Sequence, residues 1–322
     1  MTSAVADAYT SCRAITKDQA RNFYYGIRLL PADKRDALCA VYALARRIDD
    51  IGDGDLPIDG KTAAIAELRV SLDGLGTSSA EWSTSASGPV PAVRRRPEGD
   101  QRDLRGETSG SPSGWDPVIV AVTDAGRRYP IPFDAFEELV DGVEMDIIGR
   151  TYATFDELVD YCRCVAGSVG RLCLSIFGSR PHPEASRYAD TLGIALQQTN
   201  ILRDIREDLL NGRVYLPKED LNSFGVELAL DERGALVDKD GSLSALIRFS
   251  ARRAQQWYAE GLRLAPLLDR RSGACCTAMA GIYRRLLEII AAEPSAVFAG
   301  RLSLSGRQKL EVAVRALSGR AV

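Results

Sequence analysis

The chain has 322 residues, 45% of them hydrophobic and 26% charged, and a net charge of −3. That is the balance of a water-soluble globular protein with one large core or two modest ones, and it lacks the basic surplus that nucleic-acid binding demands. Seven cysteines with no Cys-x-x-Cys pair, and a single histidine, His182, held between two prolines, argue against a disulfide framework, a zinc site and histidine catalysis, and point to a reduced, cytoplasmic protein.

Residues 1–15 carry little periodicity and are expected to fray. Thr16-x-x-Gln19 has the form of a capping box and predicts a helix through Phe23, Ile27 and Leu30 to Pro31. In the next helix Ala37, Leu38, Val41, Tyr42, Ala45 and Ile48 recur at helical spacing. It runs into Arg46-Arg47-Ile48-Asp49-Asp50-Ile51-Gly52-Asp53, where Asp49 and Asp53 share a face. Gly52, Gly54, Pro57 and Gly60 end it, and a short helix over about 61–72 follows.

From about 74 to 117 the composition turns to Ser, Gly, Pro, Thr and charge, which reads as a disordered insertion. Arg94-Arg95-Arg96 within it fits a solvated linker, or a contact with anionic lipid. Pattern resumes at Val118 and passes Pro130 and Pro132 into a helix with Phe136, Leu139, Val140, Val143 and Ile147 on one side; Asp146, near its end, is placed at the surface or the border of a cavity. Thr154-x-x-Glu157 is a second capping-box candidate, opening a helix that carries Tyr161, Val165, Val169 and Leu172. Gly167 and Gly170 in it permit the close approach of a flat substrate or of another helix.

A helix over 188–210 places Gln197, Asn200, Asp204 and Asp208 on one face, apart from an apolar stripe of Leu192, Ala195, Leu196, Thr199 and Leu202. Asn211-Gly212 stops it, and Tyr215-Leu216-Pro217 begins an irregular segment. Helical patterns over Leu243–Leu268, Ala274–Ile290 and Gly306–Leu317 complete the chain. No alternating strand pattern occurs, so the fold class is all-α, a single helical domain over 16–322 around a central cavity.

Carboxylates stacked one turn apart repel unless cations lie between them, whereas a solvated acidic face is the ordinary alternative for either cluster alone. Two such clusters, each inside an apolar helix, could face each other across a cavity. Mg2+, with Mn2+ as an alternative, suits the pair, since it takes one or two protein carboxylates and completes its shell with water and substrate phosphates; the expected ligand is a diphosphate.

Tyr42-Ala43-Leu44-Ala45-Arg46-Arg47-Ile48-Asp49-Asp50-Ile51-Gly52-Asp53, paired with Gln197-x-Thr199-Asn200-Ile201-Leu202-Arg203-Asp204-Ile205-x-Glu207-Asp208, resembles the two aspartate-rich motifs of the squalene and phytoene synthase family. Asn22-Phe23-Tyr24-Tyr25-Gly26, Tyr161-Cys162-Arg163-Cys164-Val165-Ala166-Gly167-Ser168-Val169-Gly170 and Gly212-Arg213-Val214-Tyr215-Leu216-Pro217 extend the likeness over about 16–310.

The resemblance implies metal binding by Asp49, Asp53, Asp204 and Asp208, and ionisation of an allylic diphosphate in a water-free cavity. It assigns Tyr161, Val165, Ala166, Val169, Gly170, Gln197 and Asn200 to the substrate wall, with Phe23, Tyr42 and Tyr283 as further lining. Arg46 and Arg213 are candidates for diphosphate contacts or for surface ion pairs, and Tyr161 or a diphosphate oxygen for the base that closes a cyclopropane ring.

Asn22–Gly26 and Val169–Leu172 look most like the presqualene diphosphate synthases, which implies farnesyl diphosphate as substrate, a squalene or hopanoid route and no NADPH. A phytoene synthase joining two geranylgeranyl diphosphates, a terpene cyclase and a non-catalytic helical assembly factor are the alternatives; both acidic clusters being intact weighs against the last. No membrane anchor is expected, and the partners are downstream isoprenoid enzymes and at most the inner face of a membrane.

Overall fold

The computed structural model describes residues 3–20, 22–82 and 116–318. Thirteen α-helices carry them: α1 (Ser3–Gln19), α2 (Phe23–Ile27), α3 (Ala32–Asp53), α4 (Ile58–Trp82), α5 (Pro117–Arg128), α6 (Asp134–Ile147), α7 (Phe155–Cys162), α8 (Ser168–Phe177), α9 (Ala185–Leu210), α10 (Lys218–Phe224), α11 (Ser242–Gly261), α12 (Arg270–Ala292) and α13 (Gly306–Leu317). Among the described residues the only β pairing is an isolated bridge between Leu230 and Leu236. The all-α expectation holds.

α9 is the axis of the bundle. Its buried residues, among them Tyr188, Leu192, Ala195, Thr199 and Leu202, meet α11 on one side, where the Thr199 and Tyr258 hydroxyls are 2.9 Å apart. On the other side the chain between α7 and α8, Arg163–Gly167, forms a π-helical turn. The approach there is so close that a Cβ on Gly193 would stand 2.2 Å from the Ala166 carbonyl oxygen, and one on Gly170 2.3 Å from that of Ala189. Gly170 thus serves helix packing, the second of its two readings; a Cβ on Gly167 would likewise meet the Asp190 side chain on α9. α2, α3 and α12 close the bundle around a central space, and Asp269, which accepts N–H bonds from Arg271 and Ser272 at the start of α12, also accepts one from Lys34 at the start of α3.

Three sequence expectations need correction. Residues 3–15 do not fray: they belong to α1, where Ala8, Tyr9 and Cys12 are buried and the Tyr9 hydroxyl donates to Asp124 on α5 at 2.8 Å. Thr16 does not cap a helix start; it is buried in the last turn of α1, donating to the Cys12 carbonyl, and the chain breaks before α2. The helix placed over 61–72 runs on to Trp82, so 74–82 is helical; α5 begins at Pro117, and the rest of the expected insertion, Arg94 to Arg96 included, lies outside the described residues.

The Thr154 cap holds, its hydroxyl accepting the Glu157 N–H, although the Glu157 carboxylate reaches back to Ala153 rather than to Thr154 itself. Gly212 ends the central helix region at φ +73°, a left-handed position that glycine fills without strain.

Candidate active site

α3 and α9 build the site from opposite sides. On α3, Leu38, Val41 and Ala45 supply an apolar wall, while Tyr42, Arg46 and Asp49 follow one another up the same face. On α9, Leu192 and Leu196 are succeeded by Gln197 and Asn200. With Phe23 and Ile27 from α2, Val165 and Ala166 from the π-turn, and Val169, Gly170, Cys173 and Phe177 from α8, they enclose a cavity of about 220 Å³; Leu264, Cys276 and Met279 complete its wall. The deep part is apolar, and the polar groups Arg46, Asp49, Gln197 and Asn200 gather at one end.

Above that end the remaining acidic side chains stand on the last turns of the same helices. Asp53 accepts from Arg213 Nη1 at 3.2 Å, and Arg213 also reaches the Gly52 carbonyl. Asp204 is held by Arg203 and by Arg301. Burial, reinforced by Asp53, Asp50 and Asp146 against the pull of Arg46, pushes the Asp49 carboxyl up to about 7. Asp208 is pushed up to about 7 as well, by burial first and then by Asp204, with Arg213 opposing. Asn200 donates to Gln197 at 3.1 Å, but its own carbonyl oxygen is buried with no partner. Among the described residues no three His, Cys, Asp or Glu side chains converge closely enough to hold a metal alone.

Of the predicted site residues, Phe23, Tyr42, Arg46, Asp49, Val165, Ala166, Val169, Gly170, Gln197 and Asn200 meet at one cavity. Tyr283 does not line it, stacking instead on the Phe23 ring with centroids 5.5 Å apart. Tyr161 is also off the wall: it is buried in a tyrosine stack with Tyr152 and Tyr215, and its hydroxyl donates to Asp146 at 2.9 Å. Tyr215 donates to the other oxygen of Asp146 at 2.7 Å. Burial pushes the Asp146 carboxyl above its ordinary value despite those two donors, and its charge acts on Asp49 and Asp208.

Sequence reasoning left Asp146 between surface and cavity border, and gave Tyr152, Tyr215, Arg203 and Arg301 no role. A polar aromatic two residues after Arg213 was a usable signal for Tyr215. Arg301 offered none, since it lies in an irregular segment distant in sequence from Asp204.

The sequence profile that describes squalene/phytoene synthase matches residues 16–308. The chain belongs to the squalene/phytoene synthase family. As a member it is a prenyltransferase acting on prenyl diphosphates, in a family that uses divalent metal ions to ionise the diphosphate. The phytoene synthase of Mycobacterium tuberculosis is 51% identical to it, over 98% of this chain and 92% of that one. The 15-cis-phytoene synthase of Synechococcus elongatus is 30% identical over 96% and 92%. A solved dehydrosqualene synthase in complex with ligand superposes with a TM-score of 0.75 at 26% identity, covering 98% of this chain and 97% of that one.

These relatives overturn the expectation of presqualene diphosphate synthesis from farnesyl diphosphate, because family members so similar over nearly the whole chain are phytoene synthases. In Val169–Leu172, one of the two stretches that suggested the shorter substrate, Gly170 also receives Ala189, and Arg171 turns away to pair with Glu138 at 2.6 Å and Asp190 at 2.8 Å.

Proposed function

We propose that this enzyme joins two molecules of geranylgeranyl diphosphate head to head to form phytoene. The observation that carries this reading is the 51% identity to the Mycobacterium tuberculosis phytoene synthase across 98% of the chain. An apolar cavity whose polar lining includes Asp49, Arg46, Gln197 and Asn200 supports the general chemistry, since it separates a hydrocarbon tail from a charged head.

Asp49 and Asp53 on α3, with Asp204 and Asp208 on α9, would hold Mg2+, or Mn2+ in its place, and the ions when bound supply the positive charge that lets the allylic C–O bond ionise. The residues fit such an ion. At Asp49 and Asp208 burial and neighbouring carboxylates outweigh Arg46 and Arg213 and push both up to about 7, and the Asn200 oxygen, buried with no partner, lies on the cavity wall with Asp49. Among the described residues no three side chains form a protein cage, an arrangement compatible with an ion that keeps waters and shares phosphate oxygens.

Arg46, which pairs with Asp50 at 2.6 Å, and Arg213, which pairs with Asp53 at 3.2 Å, would take diphosphate oxygens by charge-assisted hydrogen bonds. Phe23, Val41, Val165, Val169 and Leu192 exclude water from the carbocation. Tyr42, pushed up to about 12 by burial, stays protonated and serves as a hydrogen-bond donor. Tyr161, off the cavity wall and raised well above its ordinary value by burial, is a positioning residue for Asp146, which leaves ring-closing deprotonation to a diphosphate oxygen.

The test is incubation of the purified chain with Mg2+ and geranylgeranyl diphosphate, without NADPH, beside a tube containing farnesyl diphosphate, with products identified by mass spectrometry. Phytoene from the first tube alone is expected. Presqualene diphosphate from the second as the main product, or no metal-dependent turnover in either, would overturn the reading.

A further inference from the structure

One carboxylate at the cavity mouth is bonded unlike the others. Arg203 donates to Asp204 from Nε at 2.8 Å and from Nη2 at 2.5 Å, and Arg301 from Nε at 2.9 Å and from Nη2 at 3.1 Å. Two guanidinium forks thereby occupy both oxygens of a single carboxylate, leaving a surplus positive charge where a divalent cation would have to enter.

The two arginines are not equivalent. The Arg203 side chain is 6% exposed and precedes Asp204 on α9, so it cannot swing away without emptying a buried position. Arg301 is 57% exposed and sits on an irregular strap between a 3-10 turn, Pro294–Val297, and α13. The strap is fixed at its ends, by the Phe298 carbonyl, which accepts the Leu236 N–H at 2.9 Å, and by buried Leu304. Between those anchors Arg301 is the exchangeable partner. An exposed arginine costs little to release into water, whereas Asp204 is only 17% exposed and would be costly to leave uncompensated.

We infer that Arg301 is a place-holding cation: it keeps Asp204 aimed in the metal-free enzyme, competes with the metal for that carboxylate, and is displaced when metal and diphosphate arrive together. The inference rests on the proposed role of Asp204 as a metal ligand. Its consequence is that metal alone binds weakly and metal with diphosphate binds well, so a cation is admitted in company with its substrate.

The test is titration of the full chain with Mn2+, without diphosphate, free Mn2+ being read by electron paramagnetic resonance. Removing one unit charge next to a divalent ion predicts that Arg301→Gln binds Mn2+ roughly three- to tenfold more tightly than wild type. Arg301→Lys, which keeps the charge, should stay close to wild type, and Asp204→Asn should lose affinity. Equal or weaker binding by Arg301→Gln, with Asp204→Asn weakened, overturns the place-holder and leaves the metal assignment standing. Asp204→Asn indistinguishable from wild type overturns both. In the wild-type protein, amide hydrogen exchange between Phe298 and Leu304 should rise on adding Mn2+ with inorganic pyrophosphate, and unchanged exchange would also count against displacement.

Discussion

Asp49 and Asp208 are carboxylates whose surroundings resist their charge, and in both burial is the larger cause. A group whose folded value lies near 7 and whose unfolded value lies near 3.8 binds a proton more firmly in the folded state. Folding stability is therefore lost as pH rises from about 4 towards 7, and the deficit persists above that range. Metal-free protein in EDTA should accordingly melt at a lower temperature at pH 8 than at pH 6. Asp49→Asn should melt higher than wild type at pH 8, show a shallower pH dependence, and have lost prenyl transfer. Calorimetry at the two pH values checks the first part and the product assay the second; a variant less stable than wild type at pH 8 would show that burial is not the dominant influence on Asp49. The trade is one of stability for a site that waits for cations.

The helices differ in how much their spacing can absorb. α9 lies so close to the π-turn that a Cβ at Gly193 would come within 2.2 Å of the Ala166 oxygen and 2.5 Å of its carbonyl carbon, both backbone atoms that cannot swing aside. Gly193→Ala should cost about 3 kcal/mol, read by urea denaturation, and distort the wall that carries Val165 and Val169. Gly74, in α4, has nothing within 4 Å of an added Cβ, and Gly74→Ala should gain about 0.5 to 1 kcal/mol from helix propensity and lost backbone freedom. Similar stability changes for both substitutions would refute this account of the contact.

The same contrast explains what could be read in the sequence. α3, α9 and α13 announce themselves because their cores are long-period aliphatic patterns with clear stops, and the cavity residues on α3 and α9 follow from the face those patterns leave open. α1 escaped because its buried stripe is Ala8, Tyr9, Cys12 and Thr16, small and polar groups that bury well only against a partner already in place. Tyr161 was read as a wall residue or base and not as a donor to Asp146, and Arg301 was not legible at all. Both depend on contacts between segments that meet only after the bundle closes.

At the scale of the molecule, the ends of α3, α6 and α9 bring acidic groups to one end of the bundle while the opposite end is sealed by packed side chains such as Phe177 and Leu264, each less than 5% exposed. Among the described residues no helix is long and apolar enough to cross a membrane. All seven cysteines are free and none is exposed. Two of them, Cys173 and Cys276, belong to the cavity wall, where burial pushes both thiols up to about 12. A small electrophile in solution thus meets almost no reactive sulfur on the outside, and its route to these two thiols is through the chamber that the substrate fills. The enzyme carries its own occupancy gauge: alkylation of Cys173 and Cys276, followed by peptide mass, should be slow in the empty protein and slower still when a prenyl chain fills the chamber.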